Sequence, residues 1–222
     1  MKFRNSLVAI ALMASTMTVQ AQDANPSQFS GFLGDYSQLQ PVKDREGVLA
    51  YVNQTHDYSV YKKVRFTPVE VFLTPNPDYK GMQPDVLKQM SDGFLDSFIA
   101  AFGNDYQLVH ENGPDVLTIR MAITGVQLTR PPMGVTDFIP IKALYNLGRK
   151  AAGDAPMVAE MSGEVEMLDP QGQRVLAAVA TRKGEKTLKQ DEQITWSELQ
   201  AITDYWAKNM KQRVDQLRDT GR

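Results

Sequence analysis

The chain has 222 residues, no cysteine and a formal net charge of −2. The lack of cysteine excludes a disulfide framework, so the fold depends on a hydrophobic core, for which this length is sufficient in one domain. The slightly acidic balance and the scattered lysines and arginines argue against a nucleic-acid partner, because binding to a phosphate backbone requires clustered basic residues.

Residues 1–21 have the pattern of a secretory signal peptide. Lys2 and Arg4 give a short positive region, the apolar run LVAIALMA follows, and small residues precede a cleavage point after Ala21. The run is shorter than the about 20 apolar residues that span a bilayer, and no later segment approaches that length. We therefore expect export to the periplasm and no transmembrane segment. Without the signal, 22 Lys and Arg face 26 Asp and Glu, a formal net charge of −4.

Residues 22–63 are predicted to form an irregular N-terminal strap. Prolines and glycines interrupt any periodicity there, apart from one helical turn beginning at Asp35. Phe32 and Tyr36 have the i, i+4 spacing of one helical face. Two interpretations stay open: the strap packs on the body of the protein, or it offers these two aromatic side chains to a partner. Packing is favoured, because exposed aromatic side chains promote unwanted association.

Regular structure is predicted from residue 64 to residue 222, as a single α+β domain. The stretch VRFTPVEVFL alternates between apolar and polar residues as a strand does, and Pro68 within it indicates a bulge or an edge position. A helix is predicted to begin at Pro84. Its apolar stripe is typical of packing on a sheet rather than of a cofactor site. The stripe consists of Val86, Met90, Phe94, Phe98 and Phe102.

Two further strands are predicted over residues 106–110 and 116–124. They are joined across ENGPD, whose residues favour a turn. The least determined part of the chain is 125–156, where the stretch IKALYNLGRKAA has the pattern of a short helix.

The C-terminal third predicts an antiparallel hairpin and a long helix. The hairpin has its loop at residues 169–173, and Thr195 with Glu198 forms a capping box for the helix. The order of these elements predicts an α+β fold of two layers, in which an antiparallel-rich sheet carries helices packed on one face.

No strong motif for catalysis or for ligand binding is present. His56 and His110 are too few for the usual zinc sites in a chain without cysteine. The orders GxSxG, SxxK, GxGxxG and GxxxxGK[ST] are absent. We therefore assign no catalytic, cofactor-binding or metal-binding residue and expect no cofactor.

Paired catalytic carboxylates have no linear signature, so this chemistry stays open. Glu160, Glu164 and Glu166 alternate along one predicted strand and are expected to share a face. Three like charges on one face are more typical of its solvent-exposed side.

Five segments in chain order resemble the bacterial envelope family catalogued as domain of unknown function 3313. They are SGFLGDYSQL, YKKVRFTPVEVFL, NGPDVLTIRMAIT, VAEMSGEVEMLDPQGQRVLAAVATRKG and TWSELQAITDYWAKNMKQRV. The resemblance implies an exported protein, often a lipoprotein, with no established reaction and no catalytic residues. This sequence reads TVQAQD where lipoproteins carry the lipid-bearing cysteine, so a lipid anchor is not expected.

Two functional hypotheses follow. The leading one is a periplasmic or cell-envelope protein without enzymatic activity, which binds an envelope protein or a cell-wall component and for which Phe32 and Tyr36 are candidate partner contacts. The alternative is a hydrolase of envelope glycan that uses the dispersed carboxylates.

Overall fold

A computed structural model describes residues 29–72, 84–129, 157–189, 192 and 194–221 of the chain. The strands are β1 (Gln40–Pro41), β2 (Val48–Val52), β3 (Lys63–Phe66), β4 (Glu70–Val71), β5 (Gln107–Leu108), β6 (Val116–Thr129), β7 (Met157–Leu168) and β8 (Arg174–Leu188). The helices are α1 (Pro84–Phe102), α2 (Trp196–Asp219) and a short 3-10 helix (Tyr58–Val60).

The strands form one mixed sheet in the order β1-β2-β8-β7-β6-β3-β5, with β4 also pairing with β6. The pairs β1–β2, β2–β8, β7–β8 and β6–β7 are antiparallel. The pairs β3–β5, β3–β6 and β4–β6 are parallel. The long central strands therefore make the sheet antiparallel-rich, and the predicted α+β class is confirmed.

The β7–β8 hairpin turns where the sequence predicts it. The Asp169 carboxylate accepts hydrogen bonds from the amides of Gln171 and Gln173, at 2.9 and 2.8 Å. Gly172 has a φ of 78°, in the left-handed region that glycine adopts without strain. The loop thus combines an Asx-type turn with a glycine at the position that needs one.

Both helices pack on the same face of the sheet and enclose the main core. Met90, Phe94, Phe98 and Phe102 of α1 are each at most 2 % exposed, as the apolar stripe predicts. The core side chains of α2 include Leu199, Ile202, Val214 and Leu217.

The two helices approach each other closely at Gly93 of α1. A Cβ atom on this residue would lie 2.4 Å from the indole ring of Trp196, the first residue of α2. A side chain at position 93 would therefore occupy space that the indole fills.

The start of α2 is fixed by a buried carboxylate. Glu198 accepts hydrogen bonds from the Thr195 amide at 2.8 Å and from the Lys186 ammonium group at 2.5 Å. Burial by itself would raise the pKa of Glu198, but the hydrogen bonds from Lys186, Thr195 and Ser197 outweigh it and lower this pKa to about 2. The predicted capping residue is thus also an anchor between α2 and β8.

The structure corrects the prediction that residues 22–63 are irregular. Strands β1 and β2 lie in this segment, and β2 pairs with β8 over five residues, from Val48 opposite Ala180 to Val52 opposite Leu176. The stretch VLAYV contains the β-favouring residues Val48, Tyr51 and Val52 between Gly47 and Asn53, so it carries a local strand signal that the prediction of an irregular segment overlooked.

The helical turn predicted at Asp35 is also wrong. The chain makes successive turns there, closed by hydrogen bonds from the Gly34 amide to the Gly31 carbonyl and from the Leu39 amide to the Tyr36 carbonyl. Gly31 and Gly34 both have positive φ, so Phe32 and Tyr36 do not lie on one continuous helix as their i, i+4 spacing suggests.

Strands β5 and β6, which ENGPD joins along the chain, are not neighbours in the sheet, because β3 lies between them. The amides of Gln107 and Val109 donate to the carbonyls of Lys62 and Val64. Helix α1 lies between the parallel neighbours β3 and β5 in the chain, and parallel strands need a long crossover connection of this kind. Of the undetermined segment, residues 125–129 belong to β6, and residues 130–156 lie outside the described residues, as does the signal peptide.

Candidate functional site

The candidate contacts Phe32 and Tyr36 lie in a segment that covers the sheet on the face opposite the helices. We call residues 29–39 the docked segment. Phe32 and Leu33 are 8 % and 4 % exposed and form a second apolar cluster with Ala122 of β6 and Ala177 of β8. The side chains of Phe32 and Leu33 therefore face the protein rather than the solvent.

The hydroxyl of Tyr36 connects the docked segment to the sheet and to itself. It donates to Glu164 at 2.7 Å and accepts from the amides of Gly31 and Leu33 at 2.9 and 3.2 Å. The Ser30 amide donates to the other oxygen of Glu164 at 3.2 Å. Burial and the hydrogen bond to Glu164 raise the pKa of Tyr36.

A second buried glutamate is paired with two arginines. Glu166 accepts from Arg120 at 2.5 Å and from Arg174 at 2.9 Å. Arg174 also donates to the backbone carbonyls of Leu33 and Asp35, and thereby holds the docked segment. The Arg120 guanidinium lies 5.0 Å from the centre of the Phe32 ring, a cation–π arrangement.

The prediction that the glutamates of β7 mark a solvent-exposed face is wrong for two of them. Glu164 is 2 % exposed and Glu166 is 4 % exposed, because the docked segment lies over them. A buried carboxylate is tolerated only with partners, and both have them. The Glu160 carboxylate accepts a hydrogen bond from the Gln127 side-chain amide at 2.5 Å and lies 3.9 Å from the Lys183 ammonium group. Each of the three carboxylates is therefore already engaged.

Among the described residues, no group of three or more His, Asp or Glu side chains is arranged to hold a metal ion. His56 forms a 2.6 Å hydrogen bond between its Nε2 atom and the hydroxyl of the buried Tyr61, and the two rings stack. This histidine is thus part of an aromatic cluster beside β3. Neither α1 nor α2 has the length and apolar character to cross a membrane.

An open groove lies between α2 and strands β2 and β8, and the sequence does not predict it. We call it the helix-face groove. Its volume is about 660 Å³. Apolar side chains from four elements form its floor, namely Ala50, Val52, Phe98, Leu176, Ala178 and Met210.

The rim of the helix-face groove is polar and carries an unusual arginine. The Arg182 guanidinium lies 3.8 Å from the centre of the Tyr205 ring, and Tyr205 is 40 % exposed. Arg182 itself is half-buried, and in the part of the chain that the structure describes its side chain makes no hydrogen bond or ion pair. The guanidinium therefore has five N–H donors available beside an apolar floor.

Sequence reasoning missed the helix-face groove because its walls come from segments far apart in the chain. Its one local signal is a polar stripe on α2 at helical spacing, formed by Tyr205, Asn209, Gln212 and Gln216. Such a stripe is usually an ordinary solvent-exposed face of a helix, so it could not be distinguished from one.

Comparisons with known proteins extend over most of the chain. The family model described as "Protein of unknown function (DUF3313)" matches residues 28–210. The uncharacterized lipoprotein YdcL of Escherichia coli (strain K12) is 27% identical over 181 residues, which cover 81% of this chain and 78% of that protein.

Two solved structures match the chain at low identity and low TM-score. The PelC dodecamer from Paraburkholderia phytofirmans, in a form with a single substitution, is 12% identical with a TM-score of 0.40, covering 75% of this chain and 95% of that chain. Lipoprotein GNA1162 from Neisseria meningitidis is 9% identical with a TM-score of 0.34, covering 69% of this chain and 98% of that chain. The family match spans the docked segment and most of the groove, and the chain belongs to the DUF3313 family.

Proposed function

We propose that the protein is exported and acts in the periplasm or cell envelope as a binding or accessory protein without enzymatic activity. Its partner would be an envelope protein or a cell-wall component, bound at the helix-face groove. Two observations support export, namely the signal-like residues 1–21 and the similarity to a protein named as a lipoprotein.

A contrast between the two faces of the sheet carries the proposal. On one face, Glu164 and Glu166 are buried and bonded to Tyr36, Arg120 and Arg174. On the other face, an apolar floor with a polar rim is open to solvent, which is the usual composition of a binding site. The helix face therefore offers a surface for binding, while the buried glutamates and arginines of the opposite face hold the docked segment.

The glycan-hydrolase alternative requires two carboxylates that reach the two sides of a sugar bond. Glu164 and Glu166 lie beneath the docked segment, and the Glu166 carboxylate is divided between two arginines. A substrate would have to displace residues 29–39 before it could reach either one. A zymogram on purified peptidoglycan tests this alternative, and clearing that disappears in Glu164→Gln would favour it over the binding protein.

The position of the binding surface can be tested by crosslinking in cells. A photoreactive phenylalanine in place of Tyr205 puts the probe on the rim of the groove. The same photoreactive residue in place of Tyr36 puts the probe within the docked segment. Substitution at Lys208, an exposed position on α2, is the control. We expect a discrete crosslinked product from position 205 only. A product from position 36 alone would instead favour the docked segment as the partner contact.

A further inference from the structure

We infer that the helix-face groove holds a single-chain amphipath with a carboxylate head group, its apolar chain on the floor and its carboxylate on Arg182. This inference rests on the proposed function in placing binding without catalysis at this groove, and it goes beyond it by naming a small amphipathic ligand where the proposed function names an envelope protein or a cell-wall component.

The floor of the groove provides the apolar part of the site. A volume of about 660 Å³ lies within the range of about 300–1,000 Å³ found for small-molecule sites. Trp206 and Met210 line the groove from α2, and Ala50 and Ala178 line it from β2 and β8, so apolar residues of three elements are available to a ligand. Burial of methylene groups on such a surface favours an aliphatic chain over a compact polar ligand.

Arg182 provides the polar part. Its guanidinium is half-buried, its central carbon lies over the Tyr205 ring, and its N–H groups have no acceptor in the described residues. A partly buried guanidinium with unused donors is well suited to bind a carboxylate through two parallel hydrogen bonds. The contact with Tyr205 restricts the side chain before the ligand arrives, which lowers the entropy lost on binding.

The other charges on the groove favour a head group with one negative charge. Asp44 and Glu46 lie on the turn between β1 and β2 and line the same groove, together with Arg45, while Arg213 lines it from α2. The two carboxylates oppose an anion on Arg182 and the two other arginines attract it, so these four formal charges cancel and the charge of Arg182 remains. A head group with one negative charge, such as a carboxylate, neutralises that charge, whereas a phosphate monoester would leave an excess negative charge on the rim.

The test uses the purified mature protein and a defined probe. Trp206 lines the groove and serves as an internal reporter, and Trp196→Phe removes the fluorescence of the other tryptophan. Dodecanoate is titrated below its micellar concentration, in parallel with octanoate, dodecyl phosphate and dodecanol. We expect saturable binding of dodecanoate, with affinity increasing about three- to fourfold for each methylene that the groove buries.

Two charge variants isolate the role of Arg182. Arg182→Gln removes the guanidinium. We expect the affinity for dodecanoate to fall at least about tenfold and the affinity for dodecanol to stay unchanged. Lys208→Gln removes one positive charge from an exposed position on α2 outside the groove lining and is expected to change the affinity by less than about twofold. The double variant Asp44→Asn with Glu46→Gln should raise the affinity for dodecanoate about two- to fivefold.

Four results would overturn the inference. They are no saturable dodecanoate binding, equal affinities for octanoate and dodecanoate, tighter binding of dodecyl phosphate than of dodecanoate, and equal losses in Arg182→Gln and Lys208→Gln. A crosslink from Tyr205 to a protein or to a second copy of the chain, without dodecanoate binding, would reject this ligand and leave the proposed function standing. Dodecanoate binding together with hydrolysis of peptidoglycan would reject the non-enzymatic function and leave the ligand chemistry standing.

Discussion

Tyr36 and Glu164 are separated by 128 residues in the chain, and their side chains meet in a 2.7 Å hydrogen bond from the phenol to the carboxylate. This bond joins the N-terminal segment to the centre of the longest hairpin. Around it, the Ser30, Gly31 and Leu33 amides bond to the same two side chains. The docked segment is therefore held by a polar network as well as by the burial of Phe32.

Phe32→Ala and Tyr36→Phe should each destabilise the protein. The first removes apolar area buried on Ala122 and Ala177, and the second leaves Glu164 and the Gly31 and Leu33 amides without the phenol oxygen. We expect each variant to lose about 1–2 kcal/mol in the free energy of unfolding, measured by urea denaturation. Gln38→Ala, an exposed position in the same segment, is the control. Unchanged stability in both variants would show that docking contributes nothing to the fold.

Glu166→Gln should be more costly than the loss of an exposed ion pair. The substitution leaves Arg120 and Arg174 without their shared anion, and the Glu166 side chain is 5 % exposed. We expect a loss of about 2–4 kcal/mol in the free energy of unfolding, toward the lower end because Arg120 is 33 % exposed. Lys88→Gln breaks the solvent-exposed pair with Asp92 and should leave stability unchanged within error. Similar effects of the two substitutions would contradict the burial described above.

Stability should fall in acid through Glu198. Its pKa in the folded protein is about 2, below the ordinary value of 4.5, so its contribution is fully present above about pH 4.5 and is lost as the pH falls toward 2. The contribution amounts to at most about 3 kcal/mol. Urea denaturation of the wild type and of Glu198→Gln at pH 6 and at pH 3 should show that the difference between them shrinks in acid. Glu192→Gln, at an exposed position just before α2, is the control, and a difference independent of pH would refute this account.

Gly93→Ala should destabilise the protein although alanine is the better helix former. In an unobstructed helix the substitution gains about 1 kcal/mol. Here the new Cβ would lie 2.4 Å from the Trp196 ring, and overpacking of this kind costs about 1–3 kcal/mol. Thermal denaturation should show a lower melting temperature for Gly93→Ala and no decrease for Asp96→Ala, on the exposed side of α1. Combination with Trp196→Leu should be less than additive, and strict additivity would locate the cost elsewhere.

Features with a local cause could be predicted from the sequence. The hairpin loop at residues 169–173 and the capping residues Thr195 and Glu198 depend on groups within a few residues of one another, and the structure has both. The apolar stripe of α1 likewise follows from helical periodicity alone.

Features that depend on distant pairing could not be predicted. The position of β2 beside β8 joins segments far apart in the chain, and Glu164 is buried because Ser30 and Tyr36 cover it. The alternation of glutamates along β7 predicts which side chains share a face, but not that another segment covers that face. The helix-face groove combines residues from β2, β8 and α2, and no spacing in the sequence marks it.

The sheet ends on both sides in strands of only two residues, β1 and β5. Pro41 in β1 has no amide hydrogen to donate to a neighbouring chain, and β5 provides too little backbone for a stable ladder. Of the long strands, β8 pairs with β2 only over Leu176–Ala180 and continues to Leu188 beside β7 alone among the described strands. The two short ends therefore offer little backbone for strand addition, whereas the outer side of Arg182–Leu188 is a stretch of the described sheet where an added strand would find free backbone groups.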